Sequence, residues 1–81
     1  MKSQEHKNLS IEFGQRLAHI MKQRNVVSSE LSREIGIDNR TLSNWLEGKT
    51  LPRLKKVIAL AKFFKIKTDY FLGLIDIDDI L

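Results

Sequence analysis

The feature that most constrains this chain is a three-residue break, Gly36-Ile37-Asp38, between two short segments with helical periodicity. Apolar residues four positions apart before the break predict a helix from about Ser28 to Ile35. Glycine readily adopts the left-handed conformation that ends a helix, and Asp38 is a residue type that caps the start of the next one. The second helix is therefore predicted to run from Asp38 to about Glu47. Two short helices joined by three residues match the helix-turn-helix plan.

The rest of the chain gives helical signals of the same kind. Ser10 is a candidate N-cap for a first helix that ends near Asn25. A fourth helix is predicted over about 53–64 and a fifth, capped by Thr68, over 68–72. The predicted core-facing residues of the fourth helix are Leu54, Val57, Ile58, Ala61 and Phe64.

Strand signals are weak, so the predicted fold class is all-α, a compact five-helix bundle. With 81 residues there is room for one domain with one modest core. We expect residues 1–9 to form a flexible N-terminal segment, 10–73 the folded domain, and 74–81 a short tail.

The predicted third helix has two distinct faces. At 100° per residue with Asn39 at zero, the apolar residues Leu42, Trp45 and Leu46 fall near 300°, 240° and 340°. Polar side chains occupy the other arc, from 0° to about 140°. This separation predicts that Trp45 packs in the core rather than stacking on single-stranded bases. The polar side chains are Asn39, Arg40, Ser43 and Asn44, with Thr41 beside them.

The residue types on the polar arc are informative. Arginine can donate two hydrogen bonds to guanine O6 and N7, and asparagine can bridge adenine N6 and N7. Asparagine, serine and threonine are only middling helix formers, so helix propensity does not explain their grouping. The pattern favours a base-reading surface over an ordinary solvated helix face.

Charge is divided unevenly along the chain. All 14 Lys and Arg residues lie within residues 1–68 together with six acids, so this part carries +8, whereas the last thirteen residues carry −4. A small basic domain of this kind fits a polyanion partner. Lysines that merely solvate helix surfaces would give the same composition, so the charge alone does not decide between the two.

Composition excludes several classes of site. The chain has no cysteine, which excludes disulfides and thiolate metal sites. Neither histidine has a second ligand at metal spacing, and no nucleophile–base pair or phosphate-binding loop is visible. We therefore expect no metal, no cofactor and no enzymatic activity. No apolar run approaches the roughly 20 residues that span a bilayer, and no signal peptide is visible, so we expect a cytoplasmic protein without a membrane partner.

The tail, residues 74–81, combines apolar and acidic side chains. Three arrangements are open: the tail packs on the domain, contacts a second copy of the chain, or stays loose as terminal residues often do. We regard it as a candidate dimer contact. No partner for its apolar residues is evident in the sequence, and these are Ile75, Ile77, Ile80 and Leu81.

The chain resembles the phage-repressor and Cro-type (XRE-like) helix-turn-helix family. The matching segments are the run from Ser28 to Gly48, Leu51-Pro52, the predicted helix over 58–64 and the ending 68–73. The resemblance covers roughly residues 10–73. It implies a lambda-repressor-like five-helix fold and a bacterial or phage-encoded, nucleoid-associated transcriptional regulator. It also implies a homodimer on a near-palindromic operator in double-stranded DNA, more often a repressor than an activator.

The resemblance also implies which residues contact DNA. Base contacts fall on Asn39, Arg40 and Asn44, with Thr41 and Ser43 beside them. Phosphate contacts fall at the start of the second helix and around the loop after the third, where the candidates are Ser28, Ser29, Lys49, Thr50, Arg53, Lys55 and Lys56.

Three positions depart from the family's pattern. Ser28 stands where many relatives have a longer glutamine, and Glu47 stands where they commonly have asparagine. Ser28 is shorter than glutamine and can at most bond a nearby phosphate. The carboxylate of Glu47 is unfavourably placed at a helix C-terminus, which disfavours a phosphate contact there. Met21 and Leu46 stand where a frequent Arg–Glu pair links two helices. We predict that these two apolar side chains touch.

One alternative keeps the fold and changes the function. A protein-binding module, such as an antitoxin or a subunit controlled by an antirepressor or another protein effector, is favoured slightly by the apolar tail and by Glu47. Such a module would show little salt-dependent affinity for duplex DNA.

Overall fold

A computed structural model of the chain describes the backbone of residues 2–74 and the side chains of residues 9–74. This part of the chain is entirely helical apart from turns and loops, which confirms the predicted fold class. The predicted helices at the centre of the chain lie where the capping signals placed them. The elements are α1 (Lys2–Gln23), α2 (Ser28–Ile35), α3 (Asn39–Leu46), α4 (Leu54–Phe64) and α5 (Thr68–Phe71).

The start of the first helix differs from the sequence prediction. Ser10 does not cap α1, because the helix begins at Lys2 and Ser10 is a buried residue inside it. The residues expected to form a flexible segment, 1–9, are therefore helical from Lys2 onward. The other end agrees: Asn25 takes a left-handed conformation with φ 55° two residues after the helix ends.

A single core fills the space between the helices. It contains Phe13, Leu17 and Ile20 of α1, together with buried residues of each of the other four helices. Arg24 donates a hydrogen bond of 2.7 Å from Nη1 to the backbone oxygen of Phe64, which fastens the end of α1 to the end of α4. The hydroxyl of Tyr70 donates to the backbone oxygen of Arg16 at 2.9 Å and fastens α5 to α1.

Gly14 allows α1 and α3 to approach each other closely. A Cβ atom at this position would lie 2.5 Å from the backbone oxygen of Trp45 and 2.8 Å from that of Leu46. Both distances are shorter than a carbon–oxygen contact permits, and both partners are backbone atoms that a rotamer change cannot move. A residue without a side chain is therefore required where α1 crosses the end of α3.

The turn between α2 and α3 has the predicted structure. Gly36 has φ 72° and ψ 44°, and its N–H donates to the backbone oxygen of Ser32. The N–H of Ile37 donates to the same oxygen at 3.0 Å. Lys56 adds a tertiary link, because its Nζ donates to the backbone oxygen of Ile35 at 2.9 Å. A positive charge and a donor therefore satisfy the C-terminus of α2.

The buried face of α4 is rotated from the predicted stripe. Leu54 and Ile58 were predicted to face the core but are 66% and 39% exposed, whereas Leu60 is fully buried. Spacing alone fits either stripe, and the packing of α2 and α5 against α4 selects the one that contains Leu60. The cap of α5 also differs slightly: Thr68 is the first helical residue, and Lys67 is the cap.

Candidate nucleic-acid interface

The first turn of α3 is fixed by Asp38. This residue is the N-cap, and its Oδ1 accepts a hydrogen bond of 2.7 Å from the backbone N–H of Thr41. Hydrogen bonding by Thr41, from its side chain first and then from its backbone, holds the pKa of the Asp38 carboxyl below its ordinary value. The capping carboxylate is therefore charged at neutral pH and lies at the positive end of the helix.

The two faces of α3 divide as the angular positions predict. Leu42 is fully buried and Trp45 is 4% exposed. The Trp45 ring meets the Phe13 ring edge to face at a centroid distance of 6.5 Å. Trp45 is thus a core residue, and its ring is not accessible to bases.

The predicted base-reading residues lie together on the other face of α3. Asn39, Arg40 and Ser43 are exposed, while Thr41 and Asn44 are half-buried. Their side chains can present several hydrogen-bond donors and acceptors to a partner within one helix face about two turns long.

The C-terminal end of α3 is held by backbone contacts and an ion pair. Gly48 has φ 77°, and a Cβ there would lie 2.9 Å from the Cα of Ile11. Glu47, the C-cap, forms an ion pair with Lys49 in which Oε1 and Nζ are 2.9 Å apart. The side chains of both partners are more than half exposed. The carboxylate therefore partly neutralises the first cation of the loop that follows α3.

Six of the seven predicted phosphate contacts are exposed and fall into two groups. Four candidates are exposed on the loop and at the start of α4, and two are exposed in the first turn of α2. Lys56 is in a different situation, because its ammonium donates to the C-terminus of α2 and the residue is half-buried. The exposed candidates are Lys49, Thr50, Arg53 and Lys55 in the first group, and Ser28 and Ser29 in the second.

Sequence prediction missed the structural roles of two residues that position α3. Gly14 seats the end of α3 on α1, and Lys56 anchors the preceding helix. Gly14 carried a weak signal, because a glycine inside a helix is less favourable than alanine by about 1 kcal/mol. Lys56 carried none, since its carbonyl partner is 21 residues away in sequence.

The packing is consistent with the predicted contact between Met21 and Leu46. Met21 is buried in the core, and Leu46 packs against the same core from the end of α3. Direct contact between these two side chains remains a prediction.

Within residues 2–74, no helix is long and apolar enough to cross a membrane. The side chains described in the structure include no group of three or more His, Asp or Glu residues that could hold a metal ion. The exposed side chains of α3 and of the loop after it offer hydrogen-bond donors and acceptors and positive charge.

Comparison with known proteins agrees with this geometry. A family described as helix-turn-helix matches residues 15–71, from α1 to the end of α5. A curated relative, the uncharacterized HTH-type transcriptional regulator YobD of Bacillus subtilis (strain 168), is 31% identical over 67 residues. The match covers 83% of this chain and 60% of YobD.

A second relative is the HTH-type transcriptional activator BcrR of Enterococcus faecalis. It is 24% identical over 63 residues, which are 78% of this chain and 31% of the activator. The chain thus spans less than two thirds of the length of either relative, and no solved structure matches it. The family match over most of the chain and the helix-turn-helix built by α2 and α3 lead to one conclusion: the chain belongs to the Cro/C1-type helix-turn-helix family of DNA-binding transcription regulators.

Proposed function

We propose that this chain binds double-stranded DNA sequence-specifically by placing the exposed face of α3 in the major groove. The observation that carries the proposal is the grouping of Asn39, Arg40 and Ser43 on the face opposite the buried Trp45. Arginine distinguishes guanine and asparagine distinguishes adenine by paired hydrogen bonds at the major-groove edge. The half-buried Thr41 and Asn44 complete the base-reading set.

Phosphate contacts on both sides of α3 would fix its register on the duplex. Lys49, Thr50, Arg53 and Lys55 supply cations and a hydroxyl from the loop and the start of α4. Ser28 and Ser29 supply hydroxyls at the first turn of α2. We assign Lys56 a structural role instead, because its ammonium is bound to the Ile35 carbonyl.

We further propose that the chain acts as a dimeric repressor. A single eight-residue reading helix covers only a few base pairs, and two copies related by a dyad would double the site. The recognition helices should then lie roughly 34 Å apart, one turn of DNA. One relative is named an activator, so the sign of regulation has to be measured with a reporter gene downstream of the selected site.

Selection of bound fragments from a pool of random duplexes tests the proposal directly. We expect an enriched motif with approximate dyad symmetry, and we expect Arg40→Ala to lose preference at one base pair of each half-site. A pool that stays random would contradict sequence-specific binding. An enriched motif that Arg40→Ala leaves unchanged would contradict the role of α3.

A protein-binding function on the same fold is the second candidate. The ion pair between Glu47 and Lys49 favours it, because it reduces the positive charge where a phosphate would bind. Titration with random duplex DNA at low and at physiological salt separates the two functions. A DNA-binding protein loses affinity steeply with added salt, whereas a protein-binding module shows weak binding at both concentrations.

A further inference from the structure

An apolar groove lies on the side of the fold formed by α1, the loop before α4 and the end of α5. Its floor is formed by buried rings and a valine, and its volume is about 160 Å³. An apolar cavity of roughly 150 Å³ holds one benzene molecule, so the groove has room for one or two aliphatic side chains. The floor residues are Phe13, Val57 and Phe71.

Three leucines surround this floor and are themselves only half covered. Leu9 of α1 is 50% exposed, Leu51 of the loop is 42% exposed, and Leu72 after α5 is 50% exposed. Single exposed leucines are common on protein surfaces. Three of them around one concave apolar floor form a contiguous patch of the kind that binds a partner.

The described part of the chain ends beside this groove. Leu72 lines it, and Leu74, the last described residue, is 70% exposed. Seven more residues follow, with the sequence Ile-Asp-Ile-Asp-Asp-Ile-Leu. Fully extended, seven residues reach roughly 23 Å, which is enough to turn back over the groove. Four of the seven are apolar, and the groove is an apolar surface within their reach.

The charges of the groove and of this segment are complementary. Arg16 lines the groove, and its guanidinium lies beside Gly73, where a Cβ would come within 3.0 Å of Nη2. Its ion pair with Glu12 is long, at 3.8 Å between Nη1 and Oε1. Residues 75–81 carry three aspartates and no basic residue. Isoleucines that enter the groove would bring carboxylates close to Arg16.

We propose that residues 75–81 bind the groove of their own chain, with an isoleucine over the floor and an aspartate beside Arg16. The tether decides between the same chain and a second copy. A segment joined directly to Leu74 reaches the groove at an effective concentration on the order of millimolar, far above the micromolar concentration of a second copy in an ordinary experiment. The proposal is independent of DNA binding, because none of the groove residues is a candidate base contact.

The absence of native cysteine allows a direct test in the full chain. We expect Leu9→Cys combined with Ile80→Cys to form an intrachain disulfide under mild oxidation, at least ten times faster than a control pair. The control combines Val27→Cys with Ile80→Cys, since Val27 is 61% exposed but does not line the groove. Non-reducing electrophoresis at low protein concentration gives the product and its rate. Equal rates for both pairs would overturn the proposal, and so would a disulfide-linked dimer, which would assign the groove to a second copy.

Thermal unfolding of variants without cysteine provides a second test. We expect Ile77→Ser with Ile80→Ser to lower the melting temperature by several degrees, independently of protein concentration. In a Leu72→Ser background the same pair of substitutions should have a clearly smaller effect, because the two sites would be in contact. Full additivity, or no effect of the tail substitutions, would contradict binding of the tail to the groove.

Discussion

The two ends of α3 are built in opposite ways. At the N-terminal end, one carboxylate caps the backbone, and the side chains that follow it point away from the core. At the C-terminal end, Gly14 and Ile11 of α1 press against the backbone of α3 and of Gly48. The last turn is thus fixed by the rest of the fold, whereas the first turn is fixed mainly by its own sequence. Substitutions at the two ends should therefore affect different measurable quantities.

The largest effect is expected at the packed end. Gly14→Ala places a methyl group against two backbone oxygens, and we expect it to lower the free energy of unfolding by about 3 kcal/mol, the upper part of the range for overpacking. In a helix with no neighbour close to this position, the same substitution raises the free energy of unfolding by about 1 kcal/mol. A decrease therefore indicates the close contact between α1 and α3. Urea unfolding followed by circular dichroism measures it.

The neighbouring exposed residue supplies the control for this substitution. Gln15→Ala, on the solvent side of α1, should change the free energy of unfolding by less than about 0.5 kcal/mol. A Gly14→Ala variant as stable as Gln15→Ala would contradict the close approach of α1 and α3.

At the exposed end we expect a loss of binding without a loss of stability. Arg40→Ala should weaken binding to the selected duplex by about 2 kcal/mol, roughly thirty-fold, because a paired contact to a base is lost. Binding to unrelated duplexes should weaken far less. Fluorescence anisotropy with labelled duplexes measures both affinities. An equal loss for every duplex would make Arg40 a phosphate contact instead of a base contact.

Asp38 caps the exposed N-terminal end of α3, so its replacement should lower the stability of the fold moderately. Asp38→Ala removes the cap of α3 and should lower the melting temperature by a few degrees. Asp38→Asn should retain most of the stabilisation by the cap, because asparagine is also a good N-cap residue. The pKa of Asp38 is lower in the folded chain than in the unfolded one. Its contribution is therefore fully present above its unfolded pKa and is lost as the pH falls through its folded pKa.

Measured from neutral to acidic pH, the difference in melting temperature between the wild type and Asp38→Ala should consequently shrink. A difference that stayed constant down to pH 2 would contradict a charged cap.

The smallest effect is expected at Glu47. Glu47→Gln removes the ion-pair partner of Lys49. Exposed ion pairs contribute only about 0–1 kcal/mol to the stability of a fold. We expect DNA affinity to rise two- to five-fold for every sequence alike, with a steeper salt dependence, since Lys49 becomes available to a phosphate. In a Lys49→Gln background this gain should largely disappear. A gain that persists there would mean that Glu47 acts by repelling phosphate directly.

Local chemistry explains which parts of this fold could be predicted from the sequence. The turn between α2 and α3 was predictable because Gly36 and Asp38 act on backbone groups within four residues of themselves. The two faces of α3 were predictable because eight residues of mixed polarity admit a single clear division. These features, together with Trp45 in the core, are among those that position the candidate site.

The remaining features depend on contacts that are distant in sequence. The N-cap preference of Ser10 was overridden because the helix continues through it, and the buried stripe of α4 depended on which helices pack against it. The bond from Lys56 to Ile35 and the approach of Gly14 to α3 join segments more than twenty residues apart. The tail beyond Leu74, including its candidate role as a dimer contact, lies outside the described residues.

The cap at Asp38 has a consequence for how such a protein can diversify. The cap and the buried residues Leu42 and Trp45 hold α3 in place whichever side chains occupy its exposed face. Exposed substitutions away from caps change stability by only a few tenths of a kcal/mol. Under the proposed function, Asn39, Arg40 and Ser43 can therefore vary with little effect on folding. Copies of such a gene could acquire new target sequences through successive single substitutions, each of which leaves a folded protein.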